Sequence, residues 1–335
     1  MQEKTMLNNL FLNLKEEFQT ETPYPLDFVL PGFLLGTVGA LVSPGGMGKT
    51  MFALELATAV ATGYDLVSFT QFAPEWKFKP YPVVYLSLED PAEILVNRLK
   101  AISEYIGTDH KQQLLTNLKI GSLIGHPMDL KTTEGCQQLK TLADGARLVV
   151  LDTFRRFHSG DENSAKEMSD VLAGLEALCA ETHCSILILH HTSKTGAQEF
   201  SDIAQASRGS SVLSDNVRFQ MNLSGIPAAA AKKNGISKTT ARQYVQLTYS
   251  KVNYGGEFAD QWYVRGDDGV LISVSDAEQN RPDFNDTEDN SEELDHEEDC
   301  INDQNNNERR SRSKTVGDSA ATQGWLDPVS YTPRR

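Results

Sequence analysis

The 335-residue sequence predicts an α/β fold with a mainly parallel central sheet flanked by helices. Three observations carry this: apolar, β-branched runs alternate with helical stretches, one run opens directly into a glycine-rich turn ending in Lys-Thr, and later runs end in carboxylates. A hydrophobic share of 39% is ample for a large core.

Taken in order, Leu7, Leu10, Phe11, Leu14 and Phe18 recur at helical spacing before the break at Pro23 and Pro25, so residues 1–22 are expected to form an amphipathic helix. Its apolar stripe packs either on its own domain or on a neighbouring subunit. Thr37 to Val42, Pro82 to Leu88, Arg147 to Leu151 and Ser185 to Leu189 read as buried strands. Beyond about Ala206 the rhythm changes to consecutive strands near Val217 to Leu223, Gln243 to Val252, Gln261 to Val264 and Val270 to Val274. Residues 23–275 therefore form the globular domain. Residues 276–335 hold 16 Asp and Glu against 7 Lys and Arg, a balance of −9 within the net −15. That stretch is poor in large apolar residues and reads as a disordered acidic C-terminal tail with a short basic cluster at Arg309, Arg310, Arg312 and Lys314. With the tail set aside, the remaining −6 no longer argues against a nucleic-acid partner.

No apolar run approaches a membrane span, and the first residues lack the profile of a signal peptide, so a cytoplasmic protein is expected. Cys136, Cys179, Cys184 and Cys300 show no zinc-site spacing and are expected to be reduced.

Ser43-Pro-Gly-Gly-Met-Gly-Lys-Thr50 lies between a strand and the helical run Met51 to Thr62, the context of a phosphate-binding loop. Glycines let backbone N–H groups turn inward on phosphate oxygens at a helix N-terminus. Pro44, Gly45, Gly46, Met47, Gly48, Lys49, Thr50 and Met51 are the expected nucleotide-binding residues, with Lys49 on the phosphates and Thr50 on Mg²⁺. Asp152, at the end of an apolar strand, is the expected second metal ligand. Glu89, ending Val83-Val-Tyr-Leu-Ser-Leu-Glu89, is the expected general base, and Asp90 is a secondary candidate or the cap of the helix after Pro91. The strand ending in His190-His191 presents one histidine toward the γ-phosphate, because successive strand residues face opposite ways.

In their detailed wording these elements resemble the RecA-like hexameric helicases, and within them the RepA-type replicative helicases of IncQ-like broad-host-range plasmids. The stretches concerned are Gly36-Thr-Val-Gly-Ala-Leu-Val-Ser-Pro-Gly-Gly, Leu151-Asp-Thr with Arg155-Arg-Phe-His158, His190-His-Thr-Ser-Lys194, Gln205-Ala-Ser-Arg-Gly-Ser-Ser-Val-Leu213 and Ser250-Lys-Val-Asn-Tyr-Gly255, spanning roughly residues 24 to 274. The resemblance implies a RecA-like P-loop core with extra C-terminal strands, which uses ATP and Mg²⁺ in a ring, most simply a hexamer, around single-stranded DNA. It makes Glu89 the catalytic glutamate, His191 the γ-phosphate sensor and Arg208 an arginine inserted into the adjacent subunit's site. Lys251 is a second residue reaching across the interface, its helper position two residues on being Asn253 here. Arg155, Arg156 and Lys194 become the DNA-contacting residues. A plasmid initiator or primase is a further implied partner. Two other functions fit the same residues: a RecA-like recombination or repair ATPase, and a nucleotide-switched scaffold that needs Lys49 but neither Glu89 nor Arg208.

Overall fold

The computed structural model describes residues 13–19, 24–161, 164–191, 211–226, 237 and 241–274. The acidic tail, Cys300, Lys194, Arg208 and most of the N-terminal helix lie outside them. Of that helix, the turn α1 (Leu14–Glu17) is described, tied by the Tyr24 hydroxyl donating to Glu17 Oε2 at 2.8 Å. Leu14 is 60% and Phe18 85% exposed, so at these two positions the apolar stripe does not pack on the chain's own domain.

The strands are β1 (Phe28–Leu30), β2 (Phe33–Leu34), β3 (Val38–Ser43), β4 (Val83–Ser87), β5 (Leu118–Ser122), β6 (Leu148–Asp152), β7 (Ser185–His191), β8 (Phe219–Gly225), β9 (Tyr244–Val252), β10 (Gln261–Arg265) and β11 (Leu271–Ser273). Nine of them form one sheet in the order β11-β10-β9-β8-β3-β7-β6-β4-β5, while β1 and β2 pair separately. From β5 to β8 all neighbours run parallel; β8, β9, β10 and β11 continue as an antiparallel meander. Parallel neighbours need crossovers, and these are the helices α2 (Lys49–Thr62), α3 (Ala92–Ser103), α4 (Thr108–Asn117), α5 (Thr133–Ala143) and α6 (Ala165–Thr182), followed by the short α7 (Ser211–Asn216).

Alternation along each strand feeds two cores. Tyr85, Val150, Leu187 and Leu189 join α2, Leu95 and Ile102 of α3 and Leu114 of α4 on one face. Val84, Leu86, Val149, Leu151, Ile186 and Ile188 join Leu139 of α5, Met168, Val171, Leu172 and Leu175 of α6, and Leu213 of α7 on the other. Helix α2 is buried on nearly every side, in keeping with its run Phe-Ala-Leu-Glu-Leu-Ala-Thr-Ala-Val-Ala, and ends at Gly63, whose φ of 74° suits glycine. Glu55, fully buried on α2, accepts a hydrogen bond from the Leu271 backbone N–H at 2.8 Å and so pins the phosphate-loop helix to β11. Burial pushes the Glu55 carboxyl well above its ordinary range.

Among the described residues no helix is long and apolar enough to cross a membrane.

Candidate nucleotide site

The site lies where the C-terminal ends of β3, β4, β6 and β7 meet the start of α2. Between β3 and α2, Gly46 and Gly48 hold φ of 82° and 91°, the left-handed region that turns successive N–H groups to one side. A side chain built at Gly45 or Gly46 would meet nothing within 4 Å, so the mouth of the loop is open toward a ligand. Pro44 and Met47 complete the turn. Met51, by contrast, has its side chain buried in the core.

Lys49 is only 4% exposed and its Nζ lies 3.0 Å from His191 Nε2. Burial lowers its ammonium to about 8 against the pull of Asp152 and Glu89. His191 stands on the exposed side of β7, whereas His190 faces inward and is buried. The alternation expected of adjacent strand residues is thus present, and His191 is the member aimed at the phosphate loop. Burial, with the Lys49 charge, lowers the pKa of both imidazoles, His190 to about 4, so both are neutral at pH 7.

Asp152 ends β6 fully buried. The Tyr85 hydroxyl donates to its Oδ2 at 2.8 Å, while Oδ1 is buried with no hydrogen-bond partner. Burial raises the Asp152 pKa, opposed by the Tyr85 hydroxyl and the Lys49 charge. Thr50 acts on the same carboxylate through its hydroxyl, and an orphaned oxygen on a group reached by both suits a divalent cation, hydrated or held by phosphate oxygens.

Glu89 follows β4. The Ser87 hydroxyl accepts from the Glu89 and Asp90 N–H groups at 3.2 and 3.1 Å and so shapes the turn. Glu89 Oε2 lies 3.7 Å from His191 Nε2, and Oε1 lies 3.9 Å from Arg156 Nε. Burial would raise this carboxyl, but Thr153, His191, Lys49 and Arg156 outweigh it and hold Glu89 below its ordinary value. Asp90 does not cap α3 as expected. The N-cap is Pro91, without a side-chain cap, and Asp90 pairs with Arg98 of the same helix while its carbonyl accepts from Ser122.

Arg155 and Arg156 occupy a 3₁₀ turn, Phe154–Phe157, whose two phenylalanines are buried. Arg155 donates to the His158 carbonyl and Arg156 to the Leu88 carbonyl, both at 3.3 Å. Lys251, on β9, donates to the carbonyls of Ser214 and Asp215 at 2.6 and 3.1 Å, so in the single chain it fastens the end of α7.

Two side chains of this site carry no motif in the sequence. Tyr85 is one. The other is Arg265, at the end of β10, whose guanidinium nitrogens lie 3.1 Å from where a Gly48 Cβ would be. It reaches the phosphate loop from more than 200 residues away. The only hint in the sequence is an arginine at the end of a predicted strand.

Residues 7–197 match the model of a family described as AAA domain. The chain belongs to the AAA domain family. As an AAA domain with this loop and these carboxylates it is a P-loop NTPase. Two solved structures share its fold. One, an isolated ATPase domain, aligns with a TM-score of 0.50 at 14% identity, over 81% of this chain and 98% of that one. A DnaB-like replicative helicase, solved to examine its interactions with primase, aligns at 0.52 and 15% identity, over 77% of this chain and 64% of that one. At such identities the likeness is one of fold, a RecA-like α/β sheet flanked by helices.

Proposed function

We propose that this AAA domain hydrolyses ATP to move along single-stranded DNA and unwind duplex, as a ring-forming replicative helicase of the plasmid RepA kind. The observation that carries the reading is the convergence of Lys49, His191 and Glu89 within hydrogen-bond or ion-pair reach at one sheet edge, beside the buried Asp152. A scaffold that only binds nucleotide needs the lysine and the aspartate; it has no use for a carboxylate poised beside them. The fold shared with a solved ATPase domain and with a DnaB-like replicative helicase supports the same reading.

In this proposal Lys49 leaves His191 to bind the β- and γ-phosphates, and the neutral His191 is then free to hydrogen-bond the γ-phosphate. Glu89 takes a proton from water as the water oxygen attacks the γ-phosphorus and the bond to ADP breaks. Thr50 and Asp152 would hold Mg²⁺, which supplies charge neutralisation on the phosphates. Arg265 contacts the nucleotide from the β10 side. Arg208 completes the neighbouring subunit's site, Arg155, Arg156 and Lys194 face the DNA, and a hexamer is the proposed ring. A plasmid initiator or primase would be its loading partner.

The test is unwinding of a forked duplex with ATP, alongside nucleotide affinity and turnover. Glu89→Gln should bind ATP like the parent and neither hydrolyse nor unwind, while Lys49→Ala should lose binding. Parental turnover in Glu89→Gln removes the assigned base. Strand-stimulated turnover without any unwinding removes the helicase.

A further inference from the structure

We propose a second contact for single-stranded DNA at the edge of the sheet opposite the nucleotide, where Trp76, Phe78 and Tyr81 alternate with Lys77 and Lys79 around a cavity sized for one base. The proposal rests on the reading that the chain binds such strands and goes beyond it, because Arg155 and Arg156 lie at the other edge. The cavity, about 170 Å³, is bounded by Val60 in the last turn of α2, by the segment 76–81 that leads into β4, and by Arg147 just before β6. The Tyr81 N–H donates to the Val60 carbonyl at 3.0 Å and the Arg147 N–H to the Pro82 carbonyl at 2.8 Å, so the segment is tied to the edge where β4 and β6 begin. Helix α2, 14 residues long, sets it about 20 Å from the phosphate loop at 1.5 Å per residue.

Burial alternates along this segment: Trp76, Phe78 and Tyr81 are half-buried, while Lys77 and Lys79 are exposed. The Trp76 and Phe78 rings pack edge to face with centroids 5.9 Å apart, which gives the cavity a fixed aromatic wall. Trp76 keeps its indole N–H buried without a hydrogen-bond partner. Arg147 is already engaged, since its guanidinium donates to both Asp27 oxygens and the Phe28 carbonyl and lies 4.1 Å from the Tyr81 ring centroid. Among the described residues Lys77 and Lys79 have no carboxylate partner. Residues 73–81 hold these two lysines against one acid, Glu75, a local positive excess in a chain of net −15. The unspent groups are thus one N–H and two ammoniums, all donors, beside exposed ring surface. A small anion would use the cations and leave the rings; an apolar side chain would leave the donors. A nucleotide uses both, with its base in the cavity and the backbone phosphates on the lysines. A cavity of roughly 150 Å³ admits benzene, so this one admits a single pyrimidine ring.

The experiment measures binding of fluorescent oligo(dT) to the full chain by anisotropy across a series of salt concentrations, with thermal melting to show that each variant folds. Lys77→Gln combined with Lys79→Gln removes two phosphate contacts. The slope of log K against log salt should therefore shrink by about 1.4, at roughly 0.7 per contact, and affinity near 0.1 M salt should fall about 25-fold. Lys77→Arg with Lys79→Arg should restore both. A strand carrying 5-iododeoxyuridine, irradiated on the parent, should cross-link to Trp76, Phe78 or Tyr81. A parent that binds the strand, but whose slope and affinity survive in the double Gln variant or whose cross-links avoid residues 76–81, overturns this proposal alone. If carbodiimide joins Lys77 or Lys79 to carboxylates of residues 276–335 while the double Gln variant keeps the parental slope, the cavity belongs to the acidic segment and the proposal falls as well. A parent that binds no strand overturns the proposed function and this site together.

Discussion

Replacing Tyr85 by Phe removes one oxygen from the centre of the site and leaves the ring in the core. The lost group is the hydroxyl donating at 2.8 Å to Asp152 Oδ2, on a carboxylate that is fully buried and whose other oxygen is already without a partner. A hydrogen bond to a charged group is worth about 1.5–3 kcal/mol, and no cavity forms to add to it. For a globular part of roughly 250 residues each kcal/mol moves Tm by about 2–4 °C, so Tyr85→Phe should melt about 3–12 °C below the parent. The same hydroxyl orients the expected metal ligand. Half-saturation of turnover by Mg²⁺ should therefore rise about tenfold, the low end of what loss of an orienting partner costs. Calorimetry and a Mg²⁺ titration of ATP turnover read the two effects. A Tm within 1 °C of the parent together with an unchanged Mg²⁺ requirement would refute the assignment of Tyr85 as the group that holds Asp152 in place.

Lys49→Met should abolish stabilisation by nucleotide yet make the free protein more stable at pH 7. The folded chain holds the Lys49 proton only to about 8, against 10.5 ordinarily, so the cost of the buried cation is present below that value. Parental stability should climb between those two pH values, where the unfolded chain alone keeps the proton, and the variant's should not; urea unfolding across pH checks this. Gly48→Ala places a Cβ at φ 91° and 3.1 Å from the Arg265 guanidinium, so it should cost about 1–3 kcal/mol from the backbone alone and weaken nucleotide binding. Phe157→Ala empties a fully buried position beneath the arginine turn and should destabilise by about 3–5 kcal/mol in the same unfolding assay.

Every strand read from an apolar run is present within two residues of its expected ends, because strands buried in the sheet carry apolar runs, on both faces in its parallel part. Strand β5 escaped that reading. Leu-Lys-Ile-Gly-Ser is an edge strand of partly exposed residues, and its place is set by the register with β4 rather than by its own pattern. The phosphate loop, Asp152, Glu89 and His191 were legible because each sits at a strand end, where the chain must leave the sheet. Asp90 was misread since helix capping and pairing with Arg98 use the same carboxylate, and the local sequence cannot rank them. Tyr85, Arg265 and the reach of Arg156 to Glu89 were invisible for a different reason. Each is a contact between elements whose neighbourhood is created only when the sheet closes.

The order of strands has a consequence for how the chain is made. Strand β3, which delivers the phosphate loop, pairs with β7 on one side and β8 on the other, and with none of the strands that leave the ribosome next. Roughly 140 residues separate it from the first of these partners, which at 5–20 residues per second is a wait of about 7–30 s. Throughout that interval both edges of an apolar strand, Val-Gly-Ala-Leu-Val-Ser, are open to any other nascent strand. Pausing of translation, or a chaperone acting in that interval, would change the yield of folded protein while leaving every native contact as it is.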